Sequence, residues 1–189
     1  MFTIDMDNVE VLEVKKSKFI AVLKRVNNEE EVKKILSDLK TEYPNAKHYT
    51  YAYIIDSNKK MSDDKEPSGT AGAPILSILE KKNLNHVLCV VIRYFGGILL
   101  GAPGLVRAYS NSTLLSLNGV NIIPFIEYES YSIKFSYSLE KEVSYILKDI
   151  NISNKKFGEL IEYEISVPKD ELELLEKLKN MMVEIKKSD

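Results

Sequence analysis

Cysteine and histidine are scarce in this sequence: 189 residues hold one cysteine, Cys89, two histidines and no tryptophan. A single thiol closes no intrachain disulfide, and so few ligands fall short of a structural zinc set. Disulfide frameworks and metal centres are therefore set aside, and no cofactor is called for. Cys89 lies inside an apolar run and is expected to be a buried packing thiol rather than a nucleophile. Long hydrophobic runs are missing too. The longest, such as residues 87–92, fall far short of the roughly 20 needed to cross a bilayer, so no membrane association is expected. Near the start, Asp5 and Asp7 stand where a signal peptide would carry basic residues and an apolar block, which predicts a cytoplasmic protein.

Acid is absent from two stretches. Residues 14–28 carry Lys15, Lys16, Lys18, Lys24 and Arg25 with no acid, and residues 81–126 carry Lys81, Lys82, Arg93 and Arg107 with none. Either stretch can attract anions, or the first can be a solvated basic edge strand. The formal net charge of −2 hides this asymmetry: 16 basic residues stand against 14 acidic ones up to residue 125, and 10 against 14 beyond it. With 29% charged and 44% hydrophobic residues, the composition is that of a globular protein rather than a disordered chain.

Periodicity predicts strands at 9–14 and 18–26, then a helix at 29–42 with Val32, Ile35, Leu36 and Leu39 inward, and a strand at 48–55. A helix at 73–82, a buried strand at 86–95 and a helix at 103–118 complete an α/β layered domain. The pattern restarts after Pro124 with a strand at 129–137, a helix at 139–149, strands at 151–157 and 159–167, a helix at 169–181 and a last strand at 183–186. That order, βαββαβ, is the ferredoxin-like arrangement. The expected class is α+β in two domains, 1–123 and 129–189, joined by a linker near residues 121–128.

Six of the eight glycines crowd between Gly69 and Gly104. Such clustering implies tight turns or a surface where a ligand approaches the main chain. In the first glycine segment, Glu66-Pro67-Ser68-Gly69-Thr70-Ala71-Gly72, Ser68 or Thr70 can cap the following helix while free amides face an anion. It lacks the Gly-Lys-Ser/Thr ending of a P-loop. The second, Arg93-Tyr94-Phe95-Gly96-Gly97 through Gly101 to Arg107, runs from a strand end into a helix, with both arginines near its N-terminus, where cations and unpaired amides favour phosphate. The expected anion- or nucleic-acid-binding set is His48, Ser68, Gly69, Thr70, Arg93, Tyr94, Gly96, Gly97, Gly101 and Arg107. The competing reading has Arg93 and Arg107 paired with Asp63, Asp64 or Glu66 to pin the loops. A hydrolase can also be assembled from Ser68, His48 and Asp64, although Ser68 lies outside any Gly-x-Ser-x-Gly elbow.

Four ordered blocks carry a family resemblance: Lys16-Ser17-Lys18-Phe19-Ile20-Ala21, Glu66 to Gly72, Arg93-Tyr94-Phe95-Gly96-Gly97 and Leu105-Val106-Arg107-Ala108-Tyr109-Ser110. Together they resemble the IMPACT/YigZ family. The resemblance implies a first domain like domain 2 of ribosomal protein S5 and a second like the last domain of elongation factor G. Three positions depart from the family pattern: Lys65 replaces a glycine, Pro103 replaces a glycine, and Ala46-Lys47-His48-Tyr49 modifies Ala-Thr-His-Asn. Eukaryotic relatives regulate translation by competing, through a further N-terminal domain, for an activator of an initiation-factor kinase; that partner is not expected of this chain. The resemblance implies a non-catalytic RNA- or ribosome-binding protein linked to translation. A protein-interaction regulator with its own protein partner, or a small-molecule hydrolase or transferase, stays open beside it.

Overall fold

The computed structural model describes residues 1–188, which divide into two compact units meeting between Phe125 and Ile126. In the first unit, strands β1 (Phe2–Ile4), β2 (Asn8–Val14) and β3 (Ser17–Arg25) precede helix α1 (Glu29–Glu42). There follow β4 (His48–Ile55), β5 (Asn58–Ser62), α2 (Gly72–Lys81), β6 (Val87–Tyr94), α3 (Gly101–Asn118) and β7 (Ile122–Pro124). Five of the strands form one antiparallel sheet in the order β2-β3-β6-β4-β5.

The two central strands read as unbroken apolar runs because both of their faces are covered. Phe19, Ala21, Leu23, Cys89 and Val91 meet Ile75, Leu79, Leu105 and Tyr109 of α2 and α3. The alternate residues Ile20, Val22, Leu88, Val90 and Ile92 meet Val32 and Leu39 of α1, with Ile35 and Leu36 partly buried beside them. Three layers result from the side-chain period of two. Cys89 is enclosed near Thr113, and burial pushes its thiol up to about 12.

Helix α1 starts where its sequence allows. Asn28 accepts from the Glu31 amide at 2.9 Å, the Glu31 carboxylate accepts from the Asn27 amide at 2.8 Å, and Glu29 to Glu31 place negative charge on the first turn. The β2–β3 turn is held by Lys15 and Lys16, both at positive φ, between the paired residues Val14 and Ser17.

Residues 122–124, expected within a linker, instead form β7, paired antiparallel with β1 in the register Phe2↔Pro124. The partner lies about as far away in sequence as the unit allows, so no local pattern signals it. Strand β5 also departs from expectation: Asn-Lys-Lys-Met-Ser is an exposed, polar edge without apolar alternation.

In the second unit, β8 (Tyr128–Phe135), α4 (Glu140–Ile146), β9 (Asn151–Phe157), β10 (Ile161–Pro168), α5 (Glu173–Asn180) and β11 (Glu184–Lys187) follow the βαββαβ order. The four strands are antiparallel in the order β11-β8-β10-β9. Ile133, Phe135, Ile161, Tyr163, Ile165 and Val167 share one face and pack with Val143 of α4 and Leu178 of α5. No helix among the described residues is long and apolar enough to cross a membrane, and among them no group of His, Cys, Asp and Glu is placed to hold a metal ion.

Candidate functional site

At one end of the five-stranded sheet, β3 begins, β6 ends and β4 begins. The register sets Arg93 beside both His48 and Phe19. The chain leaving β5 lays the Glu66 carboxylate into this end, 8% exposed. Its Oε1 accepts from Arg93 Nη1 at 2.6 Å and from the Tyr109 hydroxyl at 2.8 Å, and His48 Nε2 lies 3.6 Å away. Arg93, 4% exposed, is held between the rings of Phe19 and Phe95, at 5.3 and 5.5 Å from their centroids. Burial, and then the Glu66 charge, drive the Tyr109 hydroxyl far above the usual phenol range, so it remains a donor.

His48 Nδ1 lies 2.7 Å from the main-chain oxygen of Asp64. A carbonyl only accepts, so Nδ1 carries a proton, and Nε2 faces the Glu66 carboxylate. The Asp64 carboxylate takes the Tyr49 amide at 2.6 Å.

Arg93 therefore has the ion-pair role of the competing reading, with Glu66 as its partner. Arg107 does not: it is exposed on α3 and makes no ion pair among the described residues. The first glycine loop also differs from expectation. The amides of Gly69, Ala71 and Gly72 all donate to the Asp63 carboxylate, at 2.9, 3.1 and 2.8 Å, so the chain supplies its own anion there. The Thr70 hydroxyl donates to the Pro67 carbonyl, so the first turn of α2 is capped by Asp63 rather than by Ser68 or Thr70. Ser68 is exposed, without a bond to His48, and His48 meets the carbonyl of Asp64 rather than its carboxylate. The hydrolase constellation is not assembled.

A cavity of about 430 Å³ opens over the Glu66 cluster. His48, Glu66, Arg93 and Gly101 reach its surface together with Lys47, and apolar walls come from Pro67, Phe95, Leu99, Leu100 and Leu105. Of the expected site residues, His48, Arg93 and Gly101 are thus brought together. Gly96 and Gly97 belong to the loop above, where the Gly96 amide donates to Ser17 Oγ at 3.1 Å and Gly97 has φ +81°. Tyr94 turns away, and its hydroxyl donates to the Pro44 carbonyl at 3.0 Å. The central position of Glu66 and the part played by Tyr109 were missed from the sequence. One signal was present: Leu105, Ala108, Tyr109, Ser112 and Ser116 fall on one helical face, and a tyrosine on such a face needs a buried acceptor.

The same end of the sheet is ringed by lysines. Lys15 and Lys16 form the β2–β3 turn against which Gly96 packs, Lys18 pairs in register with Tyr94, Lys47 lines the cavity, and Lys65 adjoins Glu66. None of these five makes an ion pair among the described residues. The nearby acids are engaged elsewhere: Asp63 by amides, Asp64 by Tyr49 and Glu66 by Arg93. Glu13 stands across from Lys18 in the strand register.

Residues 15–117 match the model of the Impact N-terminal domain. The chain is 36% identical over 180 residues to the IMPACT family member YvyE of Bacillus subtilis, a match covering 90% of this chain and 81% of that protein. It is 39% identical over 126 residues to the family member YigZ of Escherichia coli, covering 62% of each. A crystal structure of a hypothetical protein superposes with a TM-score of 0.70 at 27% identity, covering 100% of this chain and 97% of that one. With its cavity, buried ion pair and glycine loops all inside the matched residues, the chain belongs to the IMPACT family.

Proposed function

We propose that this chain is a non-catalytic RNA- or ribosome-binding protein linked to translation, with the basic end of its first unit as the binding surface. The link to translation comes from the family resemblance. The binding surface rests on one observation: at the end of the sheet that holds the cavity, five lysines make no ion pair among the described residues, while Asp63, Asp64 and Glu66 are engaged by the protein itself. Such a field attracts a polyanion and leaves the cations free to meet phosphates. The two folds that accompany this reading are an S5 domain-2-like first domain and a ferredoxin-like second one, the latter supported by its β11-β8-β10-β9 order. A cytoplasmic location belongs to the same reading.

Binding to phosphates falls to the lysines, because Arg93 is committed to Glu66 and is nearly enclosed. Ribosome co-sedimentation and RNA binding, each followed across salt concentrations, test the proposal. Replacing Lys15, Lys16, Lys47 and Lys65 by alanine should weaken binding and reduce the slope of log K against log salt by about 0.7 for each single-strand phosphate that is no longer neutralised. A wild-type protein that binds neither RNA nor ribosomes at low salt overturns it. Ribosome binding that survives both nuclease and the lysine replacements would instead support docking on protein.

A further inference from the structure

The cavity beside Glu66 is walled largely by hydrocarbon, and its charges do not cancel. Phe95, Leu99, Leu100 and Leu105 line it, and two of them are left bare: Leu99 is 83% exposed and Phe95 46%. Bare apolar side chains around a concave site mark a surface that a ligand covers. The volume of about 430 Å³ lies in the range of roughly 300–1,000 Å³ common to small-molecule sites. On the polar side, Glu66 and Arg93 neutralise each other through their ion pair. Lys47 remains, exposed and without an ion pair among the described residues. His48 adds no negative charge in either protonation state. The lining therefore carries at least one surplus positive charge, whatever the state of the histidine.

The start of α3 adds to that field. Gly101 and Ala102 reach the cavity from its first turn, which has no capping side chain among the described residues and no acidic residue. Amides of a first helical turn have no partner inside the helix, and positive potential gathers there. The surplus is small, because the floor keeps the Glu66 carboxylate. One negative charge on the ligand balances it, and the apolar wall calls for a hydrocarbon body beside that charge.

We infer that the cavity binds a carboxylate carried on a compact apolar body, the body lying against Phe95, Leu100 and Leu105 and the carboxylate meeting Lys47. Two sources present that chemistry: a free amphipathic carboxylic acid, and the C-terminal residue of a polypeptide ending in a leucine-like side chain. The inference does not rest on the RNA reading, whose lysines other than Lys47 stand outside the cavity lining.

The test titrates the full chain with N-acetyl-leucine, N-acetyl-leucinamide and acetate at constant pH and ionic strength, following the amide NMR signals of Leu99, Gly101 and Ala102. N-acetyl-leucine should shift these signals saturably and bind about tenfold more tightly than the amide, which keeps the body and lacks the charge. Acetate, which has the charge without the body, should give no saturable shift. Lys47→Ala should bring the acid down to the affinity of the amide. Ala102 is exposed and lines the cavity, so Ala102→Phe fills it from the solvent side and should abolish binding of both. The peptide trialanyl-leucine separates the sources: binding as tight as that of N-acetyl-leucine assigns the cavity to a chain end, and loss of binding assigns it to a free acid. Equal affinity for acid and amide overturns the inference, as does the absence of a saturable shift at these three amides or an acid preference that survives Lys47→Ala. Uridine strands added to the same protein report on the RNA reading separately. A chain that binds strands but not N-acetyl-leucine keeps the lysine surface and loses the cavity ligand, and the reverse result keeps the ligand alone.

Discussion

A carboxylate as enclosed as Glu66 is tolerable only while its partners remain. The transfer of an ion from water costs several kcal/mol, and Arg93 and Tyr109 offset that cost through two charge-assisted hydrogen bonds to one oxygen. Arg93→Met should therefore destabilise the first unit by about 3–5 kcal/mol, because it strands the charge. Tyr109→Phe, which removes one donor, should cost about 1.5–3 kcal/mol. Adding Glu66→Gln to Arg93→Met should recover part of the loss, since the charge leaves with the arginine's partner. Urea unfolding of the three variants measures this, and a double variant no more stable than Arg93→Met would refute the account. The sequence placed Arg93 at this end of the sheet but left its role open between ion pair and anion site. The choice depends on Glu66, 27 residues away, and on Tyr109, 16 residues the other way, converging through packing that no local pattern encodes. The amides of the first glycine loop misled for a similar reason: Asp63 precedes the loop and folds back into it.

Among the elements, those with a strong internal period were legible and those defined by a distant neighbour were not. Central strands β3 and β6 announce themselves by apolar runs, and α1 by its spacing of Val32, Ile35, Leu36 and Leu39. Strand β5 exists because β4 offers it an edge, and β1 and β7 because each supplies the other. The glycine loop between β6 and α3 was visible as a loop, but not the reason for each glycine. Gly96 packs against the β2–β3 turn so closely that a Cβ would stand 2.0 Å from the carbonyl carbon of Lys16 and 2.3 Å from the Ser17 amide nitrogen. Both are backbone atoms, and neither can swing aside. At Gly97 a Cβ would meet open space, and the only cost is its φ of +81°. Gly96→Ala should therefore cost about 1–3 kcal/mol through forced movement of the turn, whereas Gly97→Ala should cost about 1–2 kcal/mol from backbone conformation alone. The two are separated by their effect on the turn: amide exchange at Lys16 to Lys18 should quicken in Gly96→Ala and stay unchanged in Gly97→Ala. Equal exchange in both would show that the loop relaxes without disturbing β3.

At the scale of the whole molecule, the sequence showed two halves because periodicity restarts after Pro124, but it put a longer connection between them than the structure has. The first unit is closed on itself before the second begins. Strand β7 pairs with β1, the Phe125 amide donates to the Met1 carbonyl, and the Phe125 ring stacks on His86 at 4.2 Å. On the other side, the Glu127 carbonyl accepts from the Lys169 amide and its carboxylate pairs with the Lys169 side chain. Ile126 alone separates these two sets of bonds, so the connection offers a protease little free backbone until one set releases. The first unit's two apolar clusters draw only on residues up to 120, and its sheet is complete by Tyr94. A chain of residues 1–125 should therefore fold alone and unfold in one cooperative transition. Removing residues 1–6 from that fragment should lower its midpoint sharply: Ile4 and Thr3 are fully buried or nearly so, and loss of β1 would leave β7 without a partner. Thermal unfolding followed by circular dichroism distinguishes the cases. A fragment 1–125 without a cooperative transition would mean that the first unit depends on the second, and a 7–125 fragment as stable as 1–125 would mean that the β1–β7 pair closes nothing.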